Sequence, residues 1–205
     1  LPVAVKVTSA LTFLATGSFQ TATRQLTGIS QSAMSNCLAQ FLEALQRRAG
    51  RYIVFPEIQR GAGAGAASGS ASGSALGSNE AAYRNAGNFH SVKMQVVCDA
   101  AGAITNVVAK FPGSCPNAAV LENSALARLL EGERPDGAWL LGDGSYPLKP
   151  WLMTPIVAPQ GPAEERYNAL HHAALGVLRR TLAHLRLRFR CLDPARGGGP
   201  LQYAP

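Results

Sequence analysis

This chain of 205 residues predicts an α/β protein that begins with a separate helical module, and three observations carry that expectation. Apolar residues recur at helical spacing through the first 56 positions and are interrupted at Gly17 and Gly28. A tract of Gly, Ala and Ser from Gly61 to Ser78, broken only by Leu76, has no side chains with which to build a core. Beyond it, strand-like runs at Val92 to Cys98, Ile104 to Lys110 and Trp139 to Leu141 alternate with helical patterns. The implied organisation is a helix-turn-helix module over 1–56, a flexible Gly/Ala/Ser-rich linker over 57–87 and an α/β domain over 88–205.

Hydrophobic residues make up 47% of the chain, enough to bury one sizeable core together with a small helical module. No run approaches the roughly 18 apolar residues of a membrane span, and the N-terminus lacks the basic-then-apolar order of a secretory signal. A soluble intracellular protein with no membrane partner is therefore expected. The chain begins at Leu1 rather than Met and ends at Pro205 behind a Gly-rich turn, which leaves room for flanks outside it.

In the helical module, Val5, Val7, Ala10, Leu11, Phe13 and Leu14 share one helix face, and Gly17 stops it. Ser18 suits the cap of a short second helix with Phe19, Ala22 and Leu26 as its apolar set; Gly28 then breaks the chain and Ser30 caps a third. That third helix would bury Ala33, Met34, Cys37, Leu38, Phe41, Leu42 and Leu45. Gln31, Ser32, Ser35 and Asn36 lie on its exposed start and Arg47 and Arg48 near its end, where they can reach phosphates or base edges. Residue pattern alone favours an ordinary three-helix bundle with a solvated polar face.

Further along, Asp99 ends a strand and is followed by Ala100, Ala101 and Gly102, so it reads as the residue that caps a hairpin turn. Asn117 suits an N-cap for a helix through Leu121, Leu126, Leu129 and Leu130. The run from Trp139 to Pro147 then places a single carboxylate, Asp143, where a buried strand ends. A carboxylate there can hold a divalent metal. A long helix is expected from about Ala163 to His184, packed on the strands. After it, Leu185, Leu187, Phe189 and Cys191 alternate with Arg186, Arg188 and Arg190, which suggests an extended segment showing its arginines to one side.

The net charge of +7 is concentrated there, since Arg179, Arg180, Arg186, Arg188, Arg190 and Arg196 are opposed only by Asp193. Such a face suits a polyanion, although cations also complement the end of a helix dipole. Other chemistries find little support. Cys37, Cys98, Cys115 and Cys191 form no C-x-x-C pair and read as reduced thiols. His171 and His172 are adjacent, point about 100° apart on a helix, cannot chelate one ion together and read as surface residues. Ser145 lacks a nucleophile elbow, and Gly197 to Gly199 lacks the Lys-Ser or Lys-Thr of a phosphate loop.

Several separated motifs agree in order with one family. Phe13 to Gln20, Gly28 to Ser35, His90 to Asp99, Phe111 to Ser114 and Trp139 to Pro155 together resemble the Harbinger-type transposases and the Harbinger transposase-derived nucleases. The resemblance runs over about residues 5–56 and 83–205. It implies a truncated ribonuclease H-like domain, a divalent cofactor (Mg or Mn) held by several Asp and Glu residues, and DNA as partner. It further implies a Myb-like partner protein and a location in the nucleus, with the cytoplasm as a second compartment.

Residue by residue, the resemblance keeps Asp143 and loses the rest. The family's Gly-x-x-Asp strand has no counterpart between Pro56 and Asn88, its next Asp is Asn117 here, and its final Glu falls on Arg179, 36 residues after Asp143. An Arg at that position would pair with Asp143 and neutralise the pocket. Glu165 lies 14 residues before Arg179, roughly 21 Å along a helix, too far to substitute. The leading expectation is a nuclease-like protein that binds DNA or a DNA-binding partner without metal-dependent cleavage. The alternatives are an active divalent-metal nuclease using Asp143 and Asp99 with unrecognised ligands, and a degenerate fragment.

Overall fold

The computed structural model describes residues 1–17, 25–55, 80–88, 91–132 and 139–192. Two compact units divide the chain: Leu1–Val54 with Arg179–Pro205, and Phe55–Leu178. Mixed helix and small sheets make it an α/β protein, as the sequence predicts.

In the first unit, α1 (Val3–Thr16) ends where Gly17 turns left-handed at φ 64° and returns its N–H to the Phe13 carbonyl at 3.0 Å. Glycine is required there twice over. A side chain would be strained at that φ, and a Cβ would come within 2.6 Å of the Arg190 carbonyl oxygen. Helix α2 (Gln31–Ala49) starts as expected at Ser30, whose Oγ accepts the Ala33 N–H at 3.2 Å. The core joins Ala10 and Phe13 of α1 to Ile29, Met34, Cys37 and Leu38.

Leu42 and Leu45, expected inside, are exposed by 37% and 49%. Lys6 donates to Gln40 at 2.9 Å, so the last turns of α2 run past the start of α1 and find no partner helix there among the described residues. Of the expected second helix, Ser18, Phe19 and Ala22 lie outside the described residues; residues 25–27 are helical, but Leu26 is 67% exposed rather than packed.

In the second unit, a four-residue α3 (Glu80–Tyr83) precedes an antiparallel hairpin of β1 (Val92–Cys98) and β2 (Ile104–Pro112), paired from Val92↔Pro112 to Cys98↔Ile104. Asp99 caps the turn: its Oδ1 accepts the N–H groups of Ala101 and Ala103, both at 2.9 Å. Helices α4 (Asn117–Glu122) and α5 (Ala125–Gly132) follow, then a short parallel pair, β3 (Leu140–Leu141) with β4 (Leu152–Met153). Leu121, Leu126, Ala127, Leu130, Trp151 and Leu152 form this unit's core, with Val97, Leu140 and Tyr146 against it. Among the described residues the strands form two separate two-stranded sheets.

The long helix, α6 (Pro162–Arg188), overturns one expectation. Residues 185–188 continue the helix instead of extending, and η1 (Arg190–Leu192) is a single 3-10 turn. The two-residue alternation is a subset of a longer helical pattern, in which Leu178, Thr181, Leu182, Leu185 and Phe189 are the half-buried set at steps of one, three and four. Leu and Arg are good helix formers, and no Gly or Pro intervenes between Gly176 and Pro194. The four cysteines are free thiols, and burial pushes that of Cys191 up from its ordinary value. No described helix is long and apolar enough to cross a membrane.

Candidate functional site

The second core fixes the turn that carries Asp143. Leu140 N–H bonds to the Trp151 carbonyl at 2.7 Å and Gly142 N–H to that of Met153 at 2.9 Å, which holds the end of β3 against β4. Gly142 is buried, and a Cβ there would meet Leu152 and Tyr146 side chains at 3.1 Å each, so both would have to give by a few tenths of an ångström to admit one. Tyr146 anchors the far side in the core. Burial first, and the Asp143 charge second, push its phenol above the ordinary 10.0.

Asp143 is exposed, and its Oδ1 already serves the turn. It accepts the Ser145 N–H at 2.9 Å and a short hydrogen bond from the Ser145 hydroxyl. That hydroxyl in turn accepts the Asn117 side-chain amide at 2.7 Å. Three side chains thus form one directed chain, Asn117 to Ser145 to Asp143, tying the start of α4 to the turn after β3.

This arrangement corrects the expected role of Asn117. The N-cap of α4 is Pro116, which offers no side-chain cap, and Asn117 is the first helical residue. With proline fixing the entry to the helix, the Asn117 amide points at Ser145 instead of at its own backbone. Ser145 is a member of this group that sequence reasoning misses; the signal that finds it is the Asp-x-Ser spacing of a turn in which a carboxylate accepts from the residue two positions on.

His171 is also corrected. Instead of lying on the surface it is 4% exposed, with Nε2 at 3.1 Å from the Met153 carbonyl and its ring 5.8 Å from that of Tyr167. Tyr167 Oη donates to the Thr154 carbonyl, and Asn168 pairs with both backbone groups of Ile156, each at 2.9 Å. One face of α6 therefore pins the segment that leaves β4. His172, its neighbour, is exposed as expected.

The donor set does not fit a two-ion centre. Around Asp143 it consists of one carboxylate, one hydroxyl and one amide joined in a single hydrogen-bond chain, while the Asp99 carboxylate is used by its own turn. Among the described residues no three His, Cys, Asp or Glu side chains group to hold a metal ion. Two-ion cleavage needs ions about 4 Å apart, each held by several hard anionic ligands.

The remaining sequence candidates fall in the first unit. Gln31, Ser32, Ser35 and Asn36 lie on the opening turns of α2, and Arg47 and Arg48 are exposed on its last, Arg47 pairing with Glu43 at 3.1 Å. Arg179, Arg186 and Arg188 are exposed on α6, and Arg190 stands on η1.

Comparison with known proteins adds a family. Residues 71–204 match the model of the DDE superfamily endonucleases. The chain is similar to "Putative nuclease HARBI1" of Rattus norvegicus, 39% identical over 98% of this chain and 61% of the relative, and to that of Homo sapiens, 38% identical with the same coverage. It is more distantly similar to "Protein ALP1-like" of Arabidopsis thaliana, 26% identical over 92% of this chain and 53% of the relative. The chain thus spans about three-fifths of the length of the nuclease relatives it matches. No solved structure matches it.

Proposed function

The chain belongs to the DDE superfamily endonucleases, as a Harbinger transposase-derived member, and from that premise we propose that it binds DNA, or a DNA-binding partner, without cutting it. The observation that carries this reading is the hydrogen-bond chain Asn117 to Ser145 to Asp143. A residue type that offers an amide in place of a carboxylate, joined to a neutral hydroxyl, leaves Asp143 as the single negative ligand of the group, and a lone carboxylate binds Mg or Mn weakly.

In this reading residues 1–56 are a helix-turn-helix module, 57–87 a linker and 88–205 a truncated ribonuclease H-like domain. Gln31, Ser32, Ser35, Asn36, Arg47, Arg48, Arg186, Arg188 and Arg190 contact nucleic acid; their place in one basic unit supports the assignment. Asp143 is the residual catalytic acid, and Asn117 and Arg179 are the altered metal positions. The protein acts in the nucleus, beside a Myb-like partner that supplies much of the sequence recognition.

The test mixes the full chain with supercoiled plasmid and labelled duplex DNA in millimolar Mg or Mn. Retarded duplex of raised fluorescence anisotropy, with uncut plasmid, is expected. Nicking that disappears in Asp143→Asn would replace this reading with that of an active metal-dependent nuclease.

A further inference from the structure

We propose that the second half of α6, from Arg179 to Arg188, is a helical face that grips the backbone of duplex DNA, with Arg179 and Arg180 as contacts in addition to the more C-terminal arginines. This rests on the DNA-binding reading above and locates it.

The exposure pattern of the helix carries the proposal. Thr181, Leu182 and Leu185 turn inward and are half-buried, whereas Arg179, Arg180, Ala183, His184, Arg186, Leu187 and Arg188 are exposed. At about 100° per residue, Arg179 and Arg186 fall in one row and Arg180, His184 and Arg188 in a second, with Ala183 and Leu187 between them. Continuation of the helix through 185–188 creates these rows; an extended segment would have put its arginines on one line with neither Arg179 nor Arg180 among them. Gly17 fixes the end of the face, because only a glycine lets the end of α1 approach the Arg190 carbonyl.

Two simpler explanations fall short. Complementing the helix dipole accounts for cations within the last turn, hence Arg186 and Arg188, but Arg179 and Arg180 stand more than two turns from the end. For Arg180, Arg186 and Arg188 the helix offers no acidic side chain in its last turns, since none occurs between Glu165 and Asp193. Arg179 and Arg186 stand seven residues apart and Arg180 and Arg188 eight, about 10.5 and 12 Å along the axis, so the two rows present four cations at spacings that suit a polyanion. The match in density is ample: the segment rises about 13.5 Å, along which a duplex presents roughly eight phosphate charges.

The experiment measures duplex affinity of the full chain by fluorescence anisotropy between low and moderate salt. Arg179→Gln, Arg180→Gln and Arg188→Gln together are expected to flatten the slope of log K against log salt by about 2.7, about 0.9 for each phosphate that is no longer neutralised. Lysine at the same three positions is expected to keep most of the slope, and unchanged far-ultraviolet dichroism verifies that the helix persists. A slope unaffected by the triple change but flattened by Arg47→Gln with Arg48→Gln would overturn this assignment and leave the DNA-binding function standing. Absence of duplex binding by the unaltered chain would overturn both. Displacement of the duplex by polyglutamate of matched charge, at equal concentration, would put an acidic protein in place of DNA.

Discussion

The two units differ in the sign of their charge. Leu1–Val54 with Arg179–Pro205 carries eleven Lys and Arg against two acids, a net of +9, whereas Phe55–Leu178 carries eight against ten, a net of −2. The whole of the chain's excess positive charge therefore belongs to the unit that holds α2 and the second half of α6. The unit with Asp143 is nearly balanced; among its described acids, Asp99, Asp143 and Glu164 accept from nearby backbone N–H groups and Glu131 pairs with Lys149 at 2.7 Å. On the proposed reading, holding a polyanion and cutting it would draw on different residues. Substitutions that would disable the second task, such as an amide for a carboxylate at 117, need not touch the first.

The largest effects should show whether the two cores are separate in energy as well as in charge. Met34 and Leu126, 0% and 2% exposed, sit in different clusters. Met34→Ala and Leu126→Ala should each cost about 2–5 kcal/mol, through lost transfer energy and the cavity left behind. In a calorimetric scan, the first is expected to lower the transition of the basic unit and the second that of the balanced unit. One transition, shifted equally by both, would break the comparison and make α6 a rigid coupling element.

A smaller effect tests what holds Asp143. Ser145→Ala removes the middle of the hydrogen-bond chain and should cost about 1 kcal/mol, with no change in the response of Tm to Mg or Mn. Asn117→Asp should behave oppositely. It sets two carboxylates on one hydroxyl, repelling without a cation and able to share one at about 2.1 Å from each oxygen. At roughly ten times its Kd, an ion bound only to the folded state adds about 1.4 kcal/mol. A Tm rise with Mg in the unaltered chain, lost in Asp143→Asn, would show instead that the present donor set already binds metal.

What can be read from the sequence is local. Gly17 ends α1, Ser30 caps α2 and Asp99 closes its hairpin because each acts on backbone within a few residues. Asn117, His171 and the run from Leu185 to Arg188 depart from expectation because their outcome depends on partners outside the local pattern. Asn117 meets Ser145, 28 positions on; His171 meets the Met153 carbonyl, 18 positions back. At residues 185–188, alternation looks like a strand until the inward set of the preceding turns is counted with it. The single carboxylate at 143 is legible in the sequence, but its engagement with Ser145 is not.

The smallest effect lies in the pH response of that same turn. Tyr146 keeps its proton more tightly in the fold than in the unfolded chain, because burial and then the Asp143 charge both disfavour the phenolate. A group whose folded pKa is raised contributes stability that is fully present below its unfolded value, here 10.0, and is lost as pH rises through the folded value. Tyr146→Phe should therefore be nearly neutral at pH 7, within about 0.5 kcal/mol. Above pH 10 it should lose less stability than the unaltered chain, which the difference in urea midpoints between the two proteins isolates from the titration of every other group. Asp143→Asn should shrink that difference without abolishing it, since the carboxylate is the second of the two causes. A difference that vanished in Asp143→Asn would mean that charge, rather than burial, holds the proton on this phenol, and the balanced unit would then owe its local stability to the same carboxylate that marks its ancestry.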